Sequence, residues 1–203
     1  DNDDTRRGKP TNHIVFGEGM AILAGDALLT YAFELLSHLD APPEQIIQVI
    51  REVSRASGTA GMVGGQVVDL QSEHVVADEA LLRYIHTHKT GALLVASVRV
   101  GALLGGAREK ELEALTEFAE QLGLAFQITD DILEVVGEEE KIGKPVGSDE
   151  KNEKATFPAV FGLDISRRMA KEAVEKAIKA IEFLGERVDI LKALAQYLLE
   201  RDC

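Results

Sequence analysis

Four side chains between Gln121 and Val136 have the types and spacing for metal-assisted anion chemistry. Gln127, Asp130, Asp131 and Glu134 stand at i, i+3, i+4 and i+7, so a helix places them on one stripe. Leu122, Leu124, Phe126, Ile128, Ile132, Leu133, Val135 and Val136 surround that stripe. A surface helix keeps its acids on a broad polar side, whereas this segment is apolar nearly all round. The pattern therefore predicts that the stripe faces an enclosed cavity, the plain alternative being a solvated acidic face. Three carboxylates in such a cavity repel one another and cannot all stay ionised without cations. Hard divalent ions suit them, and Mg²⁺ shared between carboxylates and phosphate oxygens fits best.

The basic residues that would meet the phosphate lie elsewhere in the chain. In His86-Thr87-His88-Lys89-Thr90-Gly91, the side chains of His86, Lys89 and Thr90 share a helix face, and small residues follow at Ala92, Ala96 and Ser97. A lysine turned inward there is a point-charge phosphate binder with a hydroxyl beside it; taken alone, it is also what an exposed lysine near a helix start looks like. The histidines read as packed or solvated, because no Cys or further His offers ligand spacing. From Gly137 to Glu153 the chain is a polar loop, in and after which Lys144 and Lys154 stand out, with Lys141 and Lys151 as charge balance. Gly143 and Gly147 make it pliable, so it is expected to close over a bound anion. At the opening, Arg6 and Arg7 follow Asp1, Asp3 and Asp4; adjacent arginines fork onto phosphate oxygens or lie in a solvated loop.

The 203 residues suffice for one domain with a sizeable core. With 35 Asp and Glu against 22 Lys and Arg the formal charge is −13, which disfavours nucleic-acid binding. An acidic protein that takes an anionic substrate needs cations between the two. The one cysteine, Cys203, leaves no disulfide framework and points to the cytoplasm. No targeting signal is visible, and the longest uncharged run, Ala56 to Val68, is too short to span a bilayer.

Helical periodicity runs from Met20 to Leu36, from Glu44 to Ser57 after Pro42-Pro43, from Asp78 to Gly106 and from Arg108 to Val136. Glycines at 58, 61, 64 and 65 would let another backbone or a ligand approach closely. Shorter amphipathic segments follow at Pro158–Gly162, Ser166–Leu184 and Val188–Arg201. No convincing strand is expected. The fold class is all-α, a single-domain bundle of long helices.

Taken together, these segments resemble the trans-isoprenyl diphosphate synthases, the polyprenyl synthetase family, and most closely its bacterial short-chain farnesyl and geranylgeranyl diphosphate synthases. Asp1 to Thr11 is similar to the tail of that family's first Asp-rich motif and the Arg-Arg-Gly-x-Pro-Thr after it. Gly25-Asp26-Ala27-Leu28-Leu29, Gly64-Gly65-Gln66 and Lys89-Thr90-Gly91 are family-like. Gln127 to Glu134 looks like the second Asp-rich motif, with Glu134 where a third Asp is common. Gly143-Lys144-Pro145, Gly147-Ser148-Asp149 and Lys154 complete the order.

The resemblance implies the isoprenoid synthase fold around a central cavity, over residues 1–203, without the family's N-terminal helices. It implies an Mg²⁺-dependent prenyltransferase that joins isopentenyl diphosphate to an allylic diphosphate such as dimethylallyl or geranyl diphosphate. Farnesyl diphosphate is the favoured product. A geranylgeranyl or longer-chain synthase, a non-catalytic subunit of a heteromeric prenyltransferase and a terpene cyclase are the alternatives. By the same resemblance Asp1, Asp130, Asp131 and Glu134 hold Mg²⁺. Arg6 contacts the allylic diphosphate and Arg7 the isopentenyl diphosphate. Lys89, Thr90, Gln127, Lys144 and Lys154 line the allylic diphosphate site, and Lys89, Asp130, Asp131 and Lys144 are the catalytic set. A cytoplasmic homodimer with no membrane span is implied as well.

Overall fold

The structure is a computed structural model that describes residues 3–72, 78–136 and 156–201. Its centre is a 28-residue helix, Glu109–Val136, whose buried residues Phe118, Leu122, Ala125, Ile128 and Ile132 recur at three- and four-residue steps. We label the elements in chain order: α1 Asn12–Phe16, α2 Glu18–Ser37, α3 Pro43–Ser57, α4 Met62–Gln71, α5 Glu79–Ile85, α6 Ala92–Leu104, α7 for the central helix, α8 Phe157–Phe161, α9 Leu163–Ile181 and α10 Asp189–Glu200.

Helix α9 lies along α7 because Ala170, Ala173, Val174, Ala177 and Ile181 form a narrow apolar stripe that permits close approach. Leu184, Val188, Ala195 and Leu198 close the far end of this core. A second cluster, Leu82, Ile128, Ile132, Phe157 and Ala170, joins α5, α7, α8 and α9. It forms the apolar floor on which the polar stripe of α7 rests. Each fully buried Leu, Ile or Phe here contributes about 1.5–3 kcal/mol of transfer free energy.

The all-α expectation holds, with two refinements. The continuous helical pattern from Asp78 to Gly106 is three pieces: α5, capped by the Asp78 carboxylate accepting from the Leu81 N–H, a π-helical turn at His86–Gly91, and then α6. Such turns insert one residue and re-aim the side chains beyond it, a shift that hydropathy periodicity does not register. The opening segment, in which no strand was expected, pairs Thr5–Arg6 (β1) with Lys9–Pro10 (β2) in a minimal antiparallel hairpin. Its two-residue loop has Arg7 at φ +52 and Gly8 at φ +70, the left-handed pair that a tight hairpin of this hand requires.

Helix α2 stands apart from the core. It has no buried residue, and Met20, Ile22, Leu23, Leu28 and Leu35 are exposed. By length and composition it is the one helix among the described residues long and apolar enough to cross a membrane, although Glu18, Asp26 and Glu34 keep it from being a long uncharged run.

Helices α3, α6 and α7 are tied together by charge. Arg99 donates twice to Glu52, Nη2 to Oε1 at 2.6 Å and Nε to Oε2 at 2.9 Å, and Nη1 donates to Thr116 Oγ1 at 2.7 Å. The guanidinium hydrogen bonds hold the Glu52 carboxyl below the usual carboxylate range. A carboxyl lowered in the folded state stabilises at neutral pH, and that stabilisation is lost as pH falls through the ordinary glutamate range toward the lowered value. Glu52→Gln is therefore expected to cost about 1–2 kcal/mol at pH 7. Thermal melts at pH 7 and at pH 3–4 check this, the gap to wild type closing at the acid end.

Candidate functional site

The C-terminal half of α7, the π turn and the start of α8 converge on a buried polar cluster. His86 Nδ1 lies 2.8 Å from Gln127 Oε1 and His86 Nε2 lies 3.5 Å from Asp131 Oδ2. The imidazole stacks on the Phe157 ring, with centroids 5.4 Å apart and planes 15° from parallel. The backbone N–H of Phe157 donates to Asp131 Oδ2 at 2.8 Å. That N–H belongs to the first turn of a helix and has no intrahelical acceptor, so the Asp131 carboxylate satisfies it.

These contacts divide the acidic stripe. Asp131 and Glu134 are buried, at 7 % and 4 % exposure. Asp130 turns outward; its side chain is 47 % exposed and its Oδ1 lies 3.1 Å from Arg201 Nη2. The Arg201 guanidinium also sits 4.5 Å from the centroid of the Phe126 ring, which anchors it by a cation–π contact. The enclosed stripe that the apolar surroundings suggested is thus divided: Asp130 is half-exposed to solvent, and Asp131 and Glu134 are buried.

Lys89 meets a carboxylate absent from the sequence-based set. Its Nζ lies 2.7 Å from Asp69 Oδ2, across from α4, and Thr90 beside it is half-buried. The approach of α4 depends on Gly65. A Cβ there would fall 2.2 Å from the Lys89 backbone nitrogen, so only glycine permits this crossing. On the other side, Gly91 packs against Gly123 of α7, where a Cβ on Gly123 would stand 3.5 Å from the Gly91 Cα.

The described residues include Arg6 and Arg7, both exposed on the hairpin. Asp1, Lys144, Lys154 and the expected Gly137–Glu153 loop lie outside the described residues. Sequence reasoning missed Asp69, the tie from His86 to Gln127, and Arg201. Asp69 was within reach, one helical turn beyond the Gly64-Gly65-Gln66 motif. Arg201 carries no local signal, since only the fold brings it to Asp130.

A cavity of 650 Å³ lies between α3, the π turn, α6 and α7, lined in part by Glu52, His86, Ala92, Arg99 and Leu124. Lys89, Thr90, Asp130 and Asp131 are not on its walls, so it is separate from the cluster that carries the candidate chemistry and meets it only at His86.

Among the described residues no three His, Cys, Asp or Glu side chains converge into a metal cage. Asp130 instead offers hard oxygens at a half-exposed position. That suits an ion which takes one or two carboxylates, keeps several waters and completes its shell with phosphate oxygens, the habit of Mg²⁺.

A family model described as polyprenyl synthetase matches residues 1–197. The chain is 51 % identical, over 98 % of its length and 67 % of the relative's, to a farnesyl diphosphate synthase of Geobacillus stearothermophilus. It is 47 % identical to a geranylgeranyl diphosphate synthase of Cyanophora paradoxa, over the whole of this chain and 68 % of the relative. Among solved structures, a Helicobacter pylori geranyltransferase complexed with magnesium and isoprenyl diphosphate superposes with a TM-score of 0.86 at 33 % identity, covering 98 % of this chain and 66 % of that one. The chain spans about two thirds of the length of these relatives.

Proposed function

The chain belongs to the polyprenyl synthetase family, and from that membership and the site we propose that the protein condenses isopentenyl diphosphate with an allylic diphosphate into a short-chain isoprenyl diphosphate. The observation that carries this is the 2.8 Å contact from His86 to Gln127. It ties the turn bearing Lys89 and Thr90 to the helix bearing Asp130, so that cationic and acidic groups belong to one rigid unit.

In this reading Lys89, Thr90 and Gln127 bind the allylic diphosphate, joined by Arg6, Lys144 and Lys154, while Arg7 takes the isopentenyl diphosphate. Asp130, the exposed carboxylate of the stripe, would hold Mg²⁺, with Asp1 and the buried Asp131 and Glu134 as further members of the acidic set. When bound, Mg²⁺ neutralises charge on the leaving diphosphate. The protein's own work is positioning and electrostatic stabilisation. Lysine and arginine donors hold the diphosphate oxygens as the allylic C1–O bond breaks and its electron pair leaves with the diphosphate. The terminal carbon of the isopentenyl double bond then forms the new C–C bond, which leaves a cation at the branched carbon, and loss of a proton from that carbon's other neighbour to the released diphosphate restores a double bond. Apolar helix faces keep water from the cation.

Farnesyl diphosphate is the proposed product, supported by the 51 % identity to a farnesyl diphosphate synthase. Geranylgeranyl diphosphate is the second reading, supported by the 47 % identity to a synthase of that product. Asp130, Asp131 and Glu134 disfavour a non-catalytic subunit. We also propose a cytoplasmic homodimer with no membrane span; the exposed apolar side chains of α2 support burial against a partner. The intact protein, given isopentenyl diphosphate, dimethylallyl diphosphate and Mg²⁺, is expected to yield a C15 alcohol after phosphatase treatment and chromatography. A C20 alcohol selects the second reading, and cyclic hydrocarbons without chain extension contradict both.

A further inference from the structure

We infer that Asp69 is a positioning residue of the diphosphate site, holding the Lys89 ammonium at one reach and direction before substrate arrives. The inference rests on the assignment of Lys89 to the allylic diphosphate above.

Two features of α4 act together. Gly65 brings the α4 backbone against the backbone of His88 and Lys89, where a Cβ would stand 2.2–2.8 Å from their atoms. Asp69 follows one helical turn later and so projects on the same face. Its carboxylate reaches the tip of Lys89, with Nζ 2.7 Å from Oδ2. One helix thus fixes both ends of the lysine, the backbone by contact and the ammonium by a charge-assisted bond. The Asp69 side chain is 18 % exposed and the Lys89 side chain 34 %, so the carboxylate is the more buried of the two and the lysine the more accessible.

The chemistry gives this arrangement a purpose. A lysine is a flexible four-carbon stem with a point charge at its end, and fixing it upon binding costs rotamer entropy. Pairing with Asp69 meets that cost in the folded protein. An ammonium has three N–H donors and the bond to Asp69 uses one, leaving two for phosphate oxygens. The Asp69 charge also repels an incoming diphosphate, but a diphosphate that arrives with divalent cations carries little net charge, so orientation is the larger effect. The competing role, a plain structural pair that pins α4 to the π turn, predicts a change in stability and none in affinity.

A double-mutant cycle on the intact protein separates them. Calorimetry with inorganic diphosphate and Mg²⁺ compares wild type, Asp69→Asn, Lys89→Met and the double variant. Asp69→Asn is expected to weaken binding roughly 5- to 20-fold and to raise KM for the allylic diphosphate by a similar factor, leaving KM for isopentenyl diphosphate unchanged. In the Lys89→Met background the same substitution is expected to change affinity less than about 2-fold, since positioning has nothing left to act on. Wild-type affinity in Asp69→Asn, or an undiminished loss in the Lys89→Met background, overturns the inference while Lys89 keeps its role. An unaltered affinity in Lys89→Met alone removes Lys89 from the diphosphate site, and the inference falls with that assignment. A fall in melting temperature with no change in affinity marks a structural pair and also overturns it.

Discussion

Asp130→Ala is expected to lower condensation turnover by about 10²- to 10⁴-fold while leaving the melting temperature of the metal-free protein within about 2 °C of wild type. Asp130 is half-exposed; its partner Arg201, 3.1 Å away and 13 % exposed, keeps its cation–π contact with Phe126 when the carboxylate is removed, so the loss is expected to stay below about 1 kcal/mol. Removing the carboxylate also relieves repulsion with the acids one and four residues on. The neighbouring Asp131→Ala is expected to behave otherwise. Its Oδ2 accepts the Phe157 N–H at 2.8 Å, and its loss leaves a buried backbone donor unpaired, at about 1–3 kcal/mol. A chain of this size melts about 2–4 °C lower for each kcal/mol lost, so Asp131→Ala should melt several degrees below Asp130→Ala. Melts in chelator, run beside turnover assays, check both. Equal losses of stability would show that Asp130 is as structural as its neighbour.

Gly65→Ala is expected to lower stability and diphosphate binding together. The added Cβ would stand 2.2 Å from the Lys89 nitrogen and 2.7 Å from its Cα, both backbone atoms, so no rotamer change relieves the clash and α4 must move. Forced separation of packed backbones costs about 1–3 kcal/mol or more, and it draws Asp69 off Lys89. We expect a melting temperature lower by several degrees together with weakened diphosphate binding. Gly101→Ala is the control, because a Cβ there meets nothing within 4 Å. A Gly65→Ala protein that melts and binds as wild type would show that the crossing is looser than the geometry states.

The sequence was most informative where pattern and contact coincide. The long α7, its Gln127-to-Glu134 stripe and the α9 stripe were legible because burial repeats at helical spacing, and the family resemblance rested on motif order. Periodicity could not separate the members of the stripe, since Asp130 and Asp131 differ only in what the fold brings to them: Arg201 to one, the start of α8 to the other. The π turn was invisible because it changes register without changing composition. The β1–β2 hairpin was missed because its two-residue strands are too short for alternation to show. Asp69 went unnoticed because a single acid on a short, glycine-rich helix reads as solvated until its partner is known.

In the proposed reaction the acidic and basic walls are joined by a diphosphate that carries Mg²⁺. Titration calorimetry of inorganic diphosphate into the intact protein, once with Mg²⁺ and once with chelator, tests this most directly. Because neither ion neutralises the site alone, the two should bind synergistically, with diphosphate affinity falling at least about 10-fold when Mg²⁺ is withdrawn. Equal affinity with and without Mg²⁺ would contradict the account.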